Sequence, residues 1–379
     1  MKHIFFKLFL FIALVSVVIT SCQKEGVLEI TEPEIVMNDF NEESVAIEEL
    51  AIATAAAMTD ANFRQSVKTE AMKQFDGDYD ILYSRLVKES LKSGKSGNFY
   101  LNALSEKYKS IGKNSRQYIE NLIKQIPRFQ IAVPVHCESW DTENHLPLVA
   151  YVPTNFDEKT FTKVKAFDKD GKLHWLSLDK EPNFPVVVLG YNERTDDNGN
   201  LIDGFKNILP DEGDGGGGSG GSGGGFNYSP NSLYLVKLKF NDLSAYEPWI
   251  SGKPEIYIDI HSDITQYTLG QLFSKPKRND VKKKWKTYNH KFCSWPSGTD
   301  RLYAKCYEKD NNITTTISFN VAAAFKFNLF SHAVSVTPSF GIQTKFQGGD
   351  DDMGTYMILR SDPSTGQYGN SNLMLYFKH

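Results

Sequence analysis

The chain has 379 residues, 40% of them hydrophobic and 23% charged, a composition typical of globular proteins with room for two or three domains. Its formal net charge is −4, and removing residues 1–21, which contain two lysines and no acid, would lower the charge to −6. This acidic balance argues against nucleic acid as a partner.

The first residues have the pattern of a secretory signal. Two lysines begin the segment, and the apolar run Leu8–Ile19 that follows is too short to cross a bilayer as a helix. The small residues Thr20 and Ser21 then lead directly into Cys22. We therefore expect a signal peptide over residues 1–21.

A cysteine at this place resembles the lipobox of bacterial lipoproteins. The resemblance implies cleavage before Cys22 and lipidation of its sulfur, with palmitate among the acyl chains that anchor the protein to a membrane. The segment Gln23–Glu25 is similar to the polar export tag of surface lipoproteins of Bacteroidetes, which implies a place on the outer membrane, facing outward. The alternative is an ordinary secretory signal followed by a chance cysteine.

The next part of the chain predicts a tether and a helical domain. Residues 22–43 are acidic and polar, as in flexible tethers. Residues 44–127 have helical periodicity in about five short stretches, and we expect a small helical bundle. The expected helices are Ser44–Met58, Asp60–Met72, Asp80–Leu91, Phe99–Tyr108 and Ser115–Gln125.

Three alternating aspartates precede the third of these helices. The segment Asp76–Asp80 resembles the start of a calcium-binding loop, but Ile81 stands where such a loop needs glycine and Val87 where it needs glutamate. We therefore interpret the segment as a turn and a helix cap.

From residue 128 the periodicity changes to that of strands, and residues 128–209 predict a small β domain. The turns Asp168–Gly171 and Asp196–Gly199 have the residues of hairpin connections. A glycine-rich linker is expected over residues 210–229. The expected strands are Phe129–Val135, Leu146–Val152, Thr162–Phe167, Leu173–Leu178 and Pro185–Tyr191.

Residues 230–379 predict strands throughout, in an order that resembles a C2 domain. The strand Leu233–Phe240 and the segment Ser251–Ile260 are similar to the opening of that family, and Lys282–Trp285 to its lysine-rich strand. Tyr307–Asp310 and Asp350–Gly354 are similar to the two ends of its third calcium loop. The resemblance implies an antiparallel β-sandwich with calcium at one rim, so the predicted fold class is α+β.

Calcium is the one cofactor that the sequence suggests. The ion takes six to eight oxygen ligands, several of them carboxylates, from loops that converge. The alternative is that these acids only keep loop tips soluble. The candidate ligands are Glu247, Glu255, Glu308, Asp310, Asp350 and Asp352.

Three cysteines are left once Cys22 carries lipid. In an oxidising compartment they allow one disulfide, and Cys293 with Cys306 is the tentative pair because the two lie on neighbouring segments. Cys137 would then be a free thiol.

No convergent set of nucleophile and base stands out in the sequence, so we expect a non-enzymatic module that binds or scaffolds an unknown protein or glycan at the cell surface. The alternative is a secreted hydrolase of glycans or peptides that uses paired carboxylates such as Asp141 and Glu143. Lys275–Lys286, with seven basic residues and one acid, suggests either a polyanion-binding patch or a solvated strand.

Overall fold

The computed structural model describes one unit, residues 42–379, with gaps. The expected signal peptide, Cys22 and most of the expected tether therefore lie outside the described residues. The gaps are residues 95–96, 110–114, 154, 203–225, 265–267, 309–318, 321–324, 330–331, 337–340 and 343–350.

Five helices follow one another at the start of the described chain, close to the positions predicted from periodicity. Helix α2 begins after Asp60, whose carboxylate accepts a hydrogen bond from the Asn62 amide at 2.8 Å, as expected of an N-cap. The helices are α1 (Glu42–Ala57), α2 (Ala61–Ala71), α3 (Tyr83–Lys92), α4 (Phe99–Lys109) and α5 (Ser115–Lys124).

A six-stranded sheet lies beside these helices, with the strand order β1-β2-β6-β3-β4-β5. The pair β3–β6 is parallel and the other neighbouring pairs are antiparallel. The strands are β1 (Asp80–Leu82), β2 (Phe129–Ala132), β3 (Leu148–Tyr151), β4 (Lys163–Phe167), β5 (Leu173–Ser177) and β6 (Val186–Tyr191).

Helices and sheet share one hydrophobic core, which corrects the expected division at residue 127/128. Leu50 of α1 and Leu104 of α4 are fully buried in the same cluster as Ile131 of β2 and Leu189 of β6. Strand β1 lies inside the stretch expected to be helical and pairs with β2. The expected helical bundle and small β domain are therefore two layers of a single α+β unit.

The other face of the six-stranded sheet is covered by a segment from beyond the glycine-rich stretch. Trp249 and Ile250 begin a 3₁₀ turn and are buried against Val164 and Val188. The Trp249 indole N–H donates to the carbonyl oxygen of Ser177 at 2.8 Å. The parts before and after the expected linker are thus joined by a hydrophobic contact.

Two four-stranded antiparallel sheets, with the orders β10-β7-β18-β17 and β16-β11-β8-β9, share a second core. Alternate residues Leu233, Leu235, Ile256 and Ile258 of β7 and β8 are fully buried in it, as alternation in strands requires. The remaining elements are β7 (Ser232–Phe240), β8 (Ile256–Ser262), β9 (Gly270–Ser274), α6 (Arg278–Val281), β10 (Lys286–Ser294), β11 (Arg301–Glu308), β12 (Phe319–Asn320), β13 (Phe325–Leu329), β14 (His332–Val336), β15 (Gly341–Ile342), β16 (Asp351–Leu359), β17 (Thr365–Gly369) and β18 (Leu373–Lys378).

Within the described ranges, no helix combines the length and the apolar character that a membrane span needs.

Candidate functional site

Six ionisable side chains converge where the two parts of the chain meet, and we call them the buried charge cluster. Three come from the aspartate-rich segment before and within β1, one follows β6, and two flank β8 and β9. The members are Asp76, Asp78, Asp80, Arg194, Glu255 and Lys275.

Arg194 lies at the centre of the cluster. Its Nη1 is 2.5 Å from Asp78 Oδ2, and its Nε donates to Glu255 Oε1 at 2.7 Å. Carboxylate oxygens of Asp76 and Asp80 lie 3.6 and 3.7 Å from the same Nη1. Only 11% of the Arg194 side chain is exposed, so these contacts are shielded from water.

Lys275, which follows β9, adds a second positive charge to the cluster. Its Nζ lies 3.0 Å from Asp78 Oδ2 and 3.2 Å from Glu255 Oε1. Asp78 and Glu255 therefore share two cations, Arg194 and Lys275. Burying a charge is costly unless opposite charges and hydrogen bonds compensate for the lost water, and here each partner has such neighbours.

A second lysine, Lys253, makes hydrogen bonds to the aspartate-rich segment and to Gln74 just before it. Lys253 donates from Nζ to the Gly77 carbonyl at 2.6 Å and to Gln74 Oε1 at 2.7 Å, and from its backbone N–H to Asp78 Oδ1 at 3.3 Å. Its neighbour Gly252 has φ of +100°, and a Cβ there would lie 2.8 Å from Asp78 Oδ2. Glycine is thus needed for this close approach.

The cluster shifts the pKa values of Asp78 and Asp80 in opposite directions. Burial alone would raise the pKa of Asp78, but the charges of Arg194 and Lys275 outweigh burial and lower the pKa to about 2. Burial, followed by the charges of Asp76 and Asp78, raises the pKa of Asp80 well above its ordinary value. Asp78 is therefore ionised at neutral pH, whereas Asp80 keeps its proton to a higher pH than an ordinary aspartate, because burial and the charges of Asp76 and Asp78 disfavour its ionised form.

The aspartate-rich segment does form the expected turn, but the expected helix cap was wrong: Asp80 begins β1, and α3 begins at Tyr83 after Leu82, without a side-chain cap. Asp76 Oδ1 accepts the Asp78 amide at 3.2 Å, and Gly77 has φ of +94°. Sequence analysis missed the burial of all three aspartates. The available signal was their position next to the apolar pair Ile81 and Leu82, which are 2% and 1% exposed and complete the buried strand β1.

Of the four predicted calcium ligands that the structure describes, Glu255 and Glu308 are in contact. The Glu255 amide donates to Glu308 Oε1 at 3.0 Å, and both side chains are buried. Glu247 is buried beside Arg278, whose Nη2 donates to the Glu247 carbonyl oxygen at 2.9 Å. Asp352 is exposed and accepts from Lys305 Nζ at 2.5 Å.

The other two predicted ligands, Asp310 and Asp350, lie outside the described residues. In the described part of the chain, no group of three or more histidine, cysteine or acidic side chains is arranged to hold a metal ion. Calcium binding stays a prediction.

The expected disulfide is not formed. Cys293 lies on β10 and Cys306 on β11, which belong to different sheets, and both are free thiols, as is Cys137. Closeness along the chain suggested the pairing, but the turn between β10 and β11 crosses from one sheet to the other. Burial raises the pKa of Cys137 to about 12 and that of Cys293 to about 11, so these thiols are poor nucleophiles at neutral pH.

Asp141, one of the two carboxylates suggested for a hydrolase, accepts hydrogen bonds from the two residues Glu143 and Asn144 of its own turn. Asp141 Oδ1 accepts the backbone N–H groups of Glu143 and Asn144 at 3.1 Å each, and its Oδ2 accepts from the Asn144 side chain at 2.9 Å. These bonds, the Asn144 side chain first, lower the pKa of Asp141. Asp141 therefore closes a turn.

The predicted basic stretch Lys275–Lys286 does not form a single surface. Lys275 and Arg278 are buried. Lys277 instead donates to Glu138 Oε1 of the N-terminal unit at 2.6 Å. The stretch contributes contacts between the two parts of the chain.

A different surface combines lysines and aromatic rings: the outward side of the sheet β10-β7-β18-β17, which we call the lysine–aromatic face. The register places Tyr234 between Lys291 and Lys378 and places Lys237 beside Tyr376. Because directly opposite residues point to the same side of a sheet, these side chains share the outward face. The members are Tyr234, Lys237, Lys239, Trp285, Lys291, Tyr376 and Lys378.

The lysines of this face lie over the rings. Lys237 Nζ is 4.8 Å from the ring centroid of Trp285 and 4.9 Å from that of Tyr376. Lys239 Nζ lies 5.1 Å from Trp285, and Lys378 Nζ lies 3.9 Å from the ring of Tyr228. Cation–π attraction of this kind holds an ammonium group in place without neutralising its charge.

A groove of about 290 Å³ adjoins one end of the face and is lined by residues 226–232, Lys378 and His379. Tyr228 Oη donates to Asn289 Oδ1 of β10 at 2.8 Å, and the Phe226 ring, 44% exposed, packs on Tyr228 with centroids 4.8 Å apart. The groove thus continues the lysine–aromatic face with rings and amide groups.

No curated protein and no solved structure matches the chain at a significant level. A family model described as a protein of unknown function, DUF3103, matches residues 51–262, which is more than half of the 379 residues. The matched range crosses the glycine-rich stretch and includes Trp249 and Glu255, two of the residues through which the later part of the chain contacts the N-terminal unit. The chain belongs to the DUF3103 family of proteins of unknown function.

Proposed function

We propose that this protein is a lipid-anchored protein of the bacterial outer membrane, exposed at the cell surface, whose body is a non-enzymatic binding or scaffolding module. The anchor is proposed from the signal-like first residues and Cys22. Residues 22–41 would connect that lipid to the folded body, which begins at α1.

The lysine–aromatic face is the observation that carries the binding role. The charged groups of the buried charge cluster are paired with one another inside the molecule. Lys237 and Lys378 instead lie on the outer side of a sheet, held over aromatic rings. A rigid sheet face with positioned side chains is well suited to recognition.

We further propose that the two-sheet part has a C2-like topology and that calcium binds near Glu308 and Asp352 and stabilises this part of the chain. Two antiparallel four-stranded sheets around one core support this proposal. Glu255 is already paired with Arg194, so it would not coordinate the ion. Calcium bound by the remaining acids would act on the stability of the fold.

The anchor is tested by growing bacteria that express the full chain with an alkyne-labelled fatty acid and comparing the Cys22→Ala variant. We expect label on the wild-type protein and none on the variant. Protease added to intact cells should remove the wild-type protein while leaving a periplasmic control protein uncut. An unlabelled wild-type chain would contradict the anchor, and protection from protease would contradict the outward orientation.

A further inference from the structure

The lysine–aromatic face has a charge pattern that points to one class of ligand. Four lysines, Lys237, Lys239, Lys291 and Lys378, project from three neighbouring strands. At the outward positions that pair with them, the structure places Thr287, Tyr376, Met374, Tyr234 and Thr365, none of them acidic. The face is therefore positive, although the chain as a whole has a net charge of −4.

Sheet geometry sets the spacing of these charges. Alternate residues of a strand are about 7 Å apart, which is the separation of Lys237 and Lys239 along β7. Neighbouring strands are about 5 Å apart, so Lys291 on β10 and Lys378 on β18, on either side of β7, are about 10 Å apart. A polymer with one anionic group on each or every second repeat would meet several of these lysines at once.

The aromatic rings identify the rest of the ligand. Trp285 and Tyr376 lie beneath lysines, and Tyr228 and Phe226 border the groove. The faces of Trp285, Tyr376 and Tyr228 hold the lysines, whereas the Phe226 ring, 44% exposed, presents an apolar face that suits the C–H face of a sugar ring. Thr287, Gln367 and Asn289, which lie on β10 and β17, add neutral groups that hydrogen-bond to hydroxyls.

We propose that the lysine–aromatic face and its groove bind an acidic polysaccharide, one that carries carboxylate or sulfate groups along its chain. The proposal rests on the surface binding role proposed above and names its ligand class. Each lysine ammonium is a compact point charge that attracts an isolated carboxylate or sulfate without requiring a fixed bidentate geometry. The half-buried position of Trp285 and Tyr376 beneath lysines fits a sugar polymer better than a membrane surface, which calls for protruding apolar side chains.

The test uses the chain from residue 23 onward, which keeps every described residue, and alginate oligomers as the probe. We expect binding to alginate that weakens as salt is raised, and no binding to uncharged dextran of the same length. Lys237→Gln/Lys378→Gln should weaken alginate binding about tenfold, which is 1.4 kcal/mol shared by two charge contacts. The matched control is Lys163→Gln/Lys172→Gln, which removes two exposed lysines of β4 and the turn before β5 and should leave affinity unchanged.

Two further arms separate the alternatives. Tighter binding to phosphatidylglycerol vesicles or to duplex DNA than to alginate would overturn the proposal in favour of a lipid surface or a nucleic acid. So would equal loss of affinity in the face variant and the control, or no binding to alginate at all.

The same incubations are assayed for new reducing ends. Their release by the wild-type chain would contradict the non-enzymatic role proposed above. Failure to bind alginate without such release would refute only the ligand class.

Discussion

Replacing Arg194 by methionine tests whether the buried charge cluster holds the two parts of the chain together. The substitution keeps most of the side-chain volume but removes the contacts at 2.5 Å to Asp78 and 2.7 Å to Glu255. Removing one partner of a buried ion pair typically costs about 3–5 kcal/mol, because the other charge stays buried without compensation. Lys275 still neutralises part of that charge, so we expect a loss near the lower end, about 3 kcal/mol.

The pH dependence of the loss distinguishes a charge effect from a packing effect. The folded pKa of Asp78 is about 2, below its reference value of 3.8, so its ionised form stabilises the fold above the reference value and that stabilisation is lost as the pH falls toward 2. Without Arg194 the neighbouring carboxyl groups bind protons more readily. The difference between wild type and variant should therefore be largest near pH 7 and should shrink as the pH is lowered toward about 4.

The assay is urea denaturation followed by tryptophan fluorescence, with Arg116→Met as the matched control. Arg116 pairs with Glu120 at 3.4 Å at the surface, where 43% of its side chain is exposed, and such pairs contribute at most about 1 kcal/mol. A loss for Arg194→Met no larger than for Arg116→Met, or a loss independent of pH, would refute the reasoning.

Three further predictions concern other parts of the molecule. Asp80→Asn should raise the free energy of unfolding at pH 7 above that of the wild type. The pKa of Asp80 is raised in the folded state, so the stability of the wild type falls as the pH rises above 3.8, the ordinary pKa of aspartate. Urea denaturation that gives equal pH profiles for the two proteins would contradict this. Trp249→Ala should cost about 3–5 kcal/mol, and Trp175→Ala, at an exposed position of β5, far less. If calcium binds at the predicted rim, millimolar calcium should raise the thermal midpoint relative to EDTA, and Asp350→Asn/Asp352→Asn should abolish the rise; no rise in the wild type would refute the site.

Local signals predicted the elements well where local chemistry decides them. Asp168 accepts the amides of Asp170 and Lys172 at 3.0 Å each, and Gly171 has φ of +75°, as the hairpin prediction requires. The same chemistry recurs at the second predicted turn, where Gly199 has φ of +77°. Such turns depend on a few adjacent residues, so a single sequence contains the necessary information.

Arrangements that depend on distant residues were not predictable in the same way. Strand β1 has three residues and is defined by pairing with β2, fifty residues later in the sequence. The ion partners of Asp78 are Arg194 and Lys275, and no sequence pattern links them. The periodicity of a segment shows which of its faces is buried but not which other segment covers that face. It therefore could not show that the helices and the six-stranded sheet share one core.

The residues of the buried charge cluster are spread from Asp76 to Lys275, so the ends chosen for a recombinant fragment decide which of them it contains. The family match ends at residue 262, after Glu255 and before Lys275. A recombinant fragment cut at that boundary would keep Asp78, Glu255 and Arg194 but lose Lys275, and it would leave β8 without β9 and β11, the two strands that pair with it. Expression boundaries for this chain therefore belong after β18, because β7 and β8 pair with β10, β11 and β18 and share the second core with them.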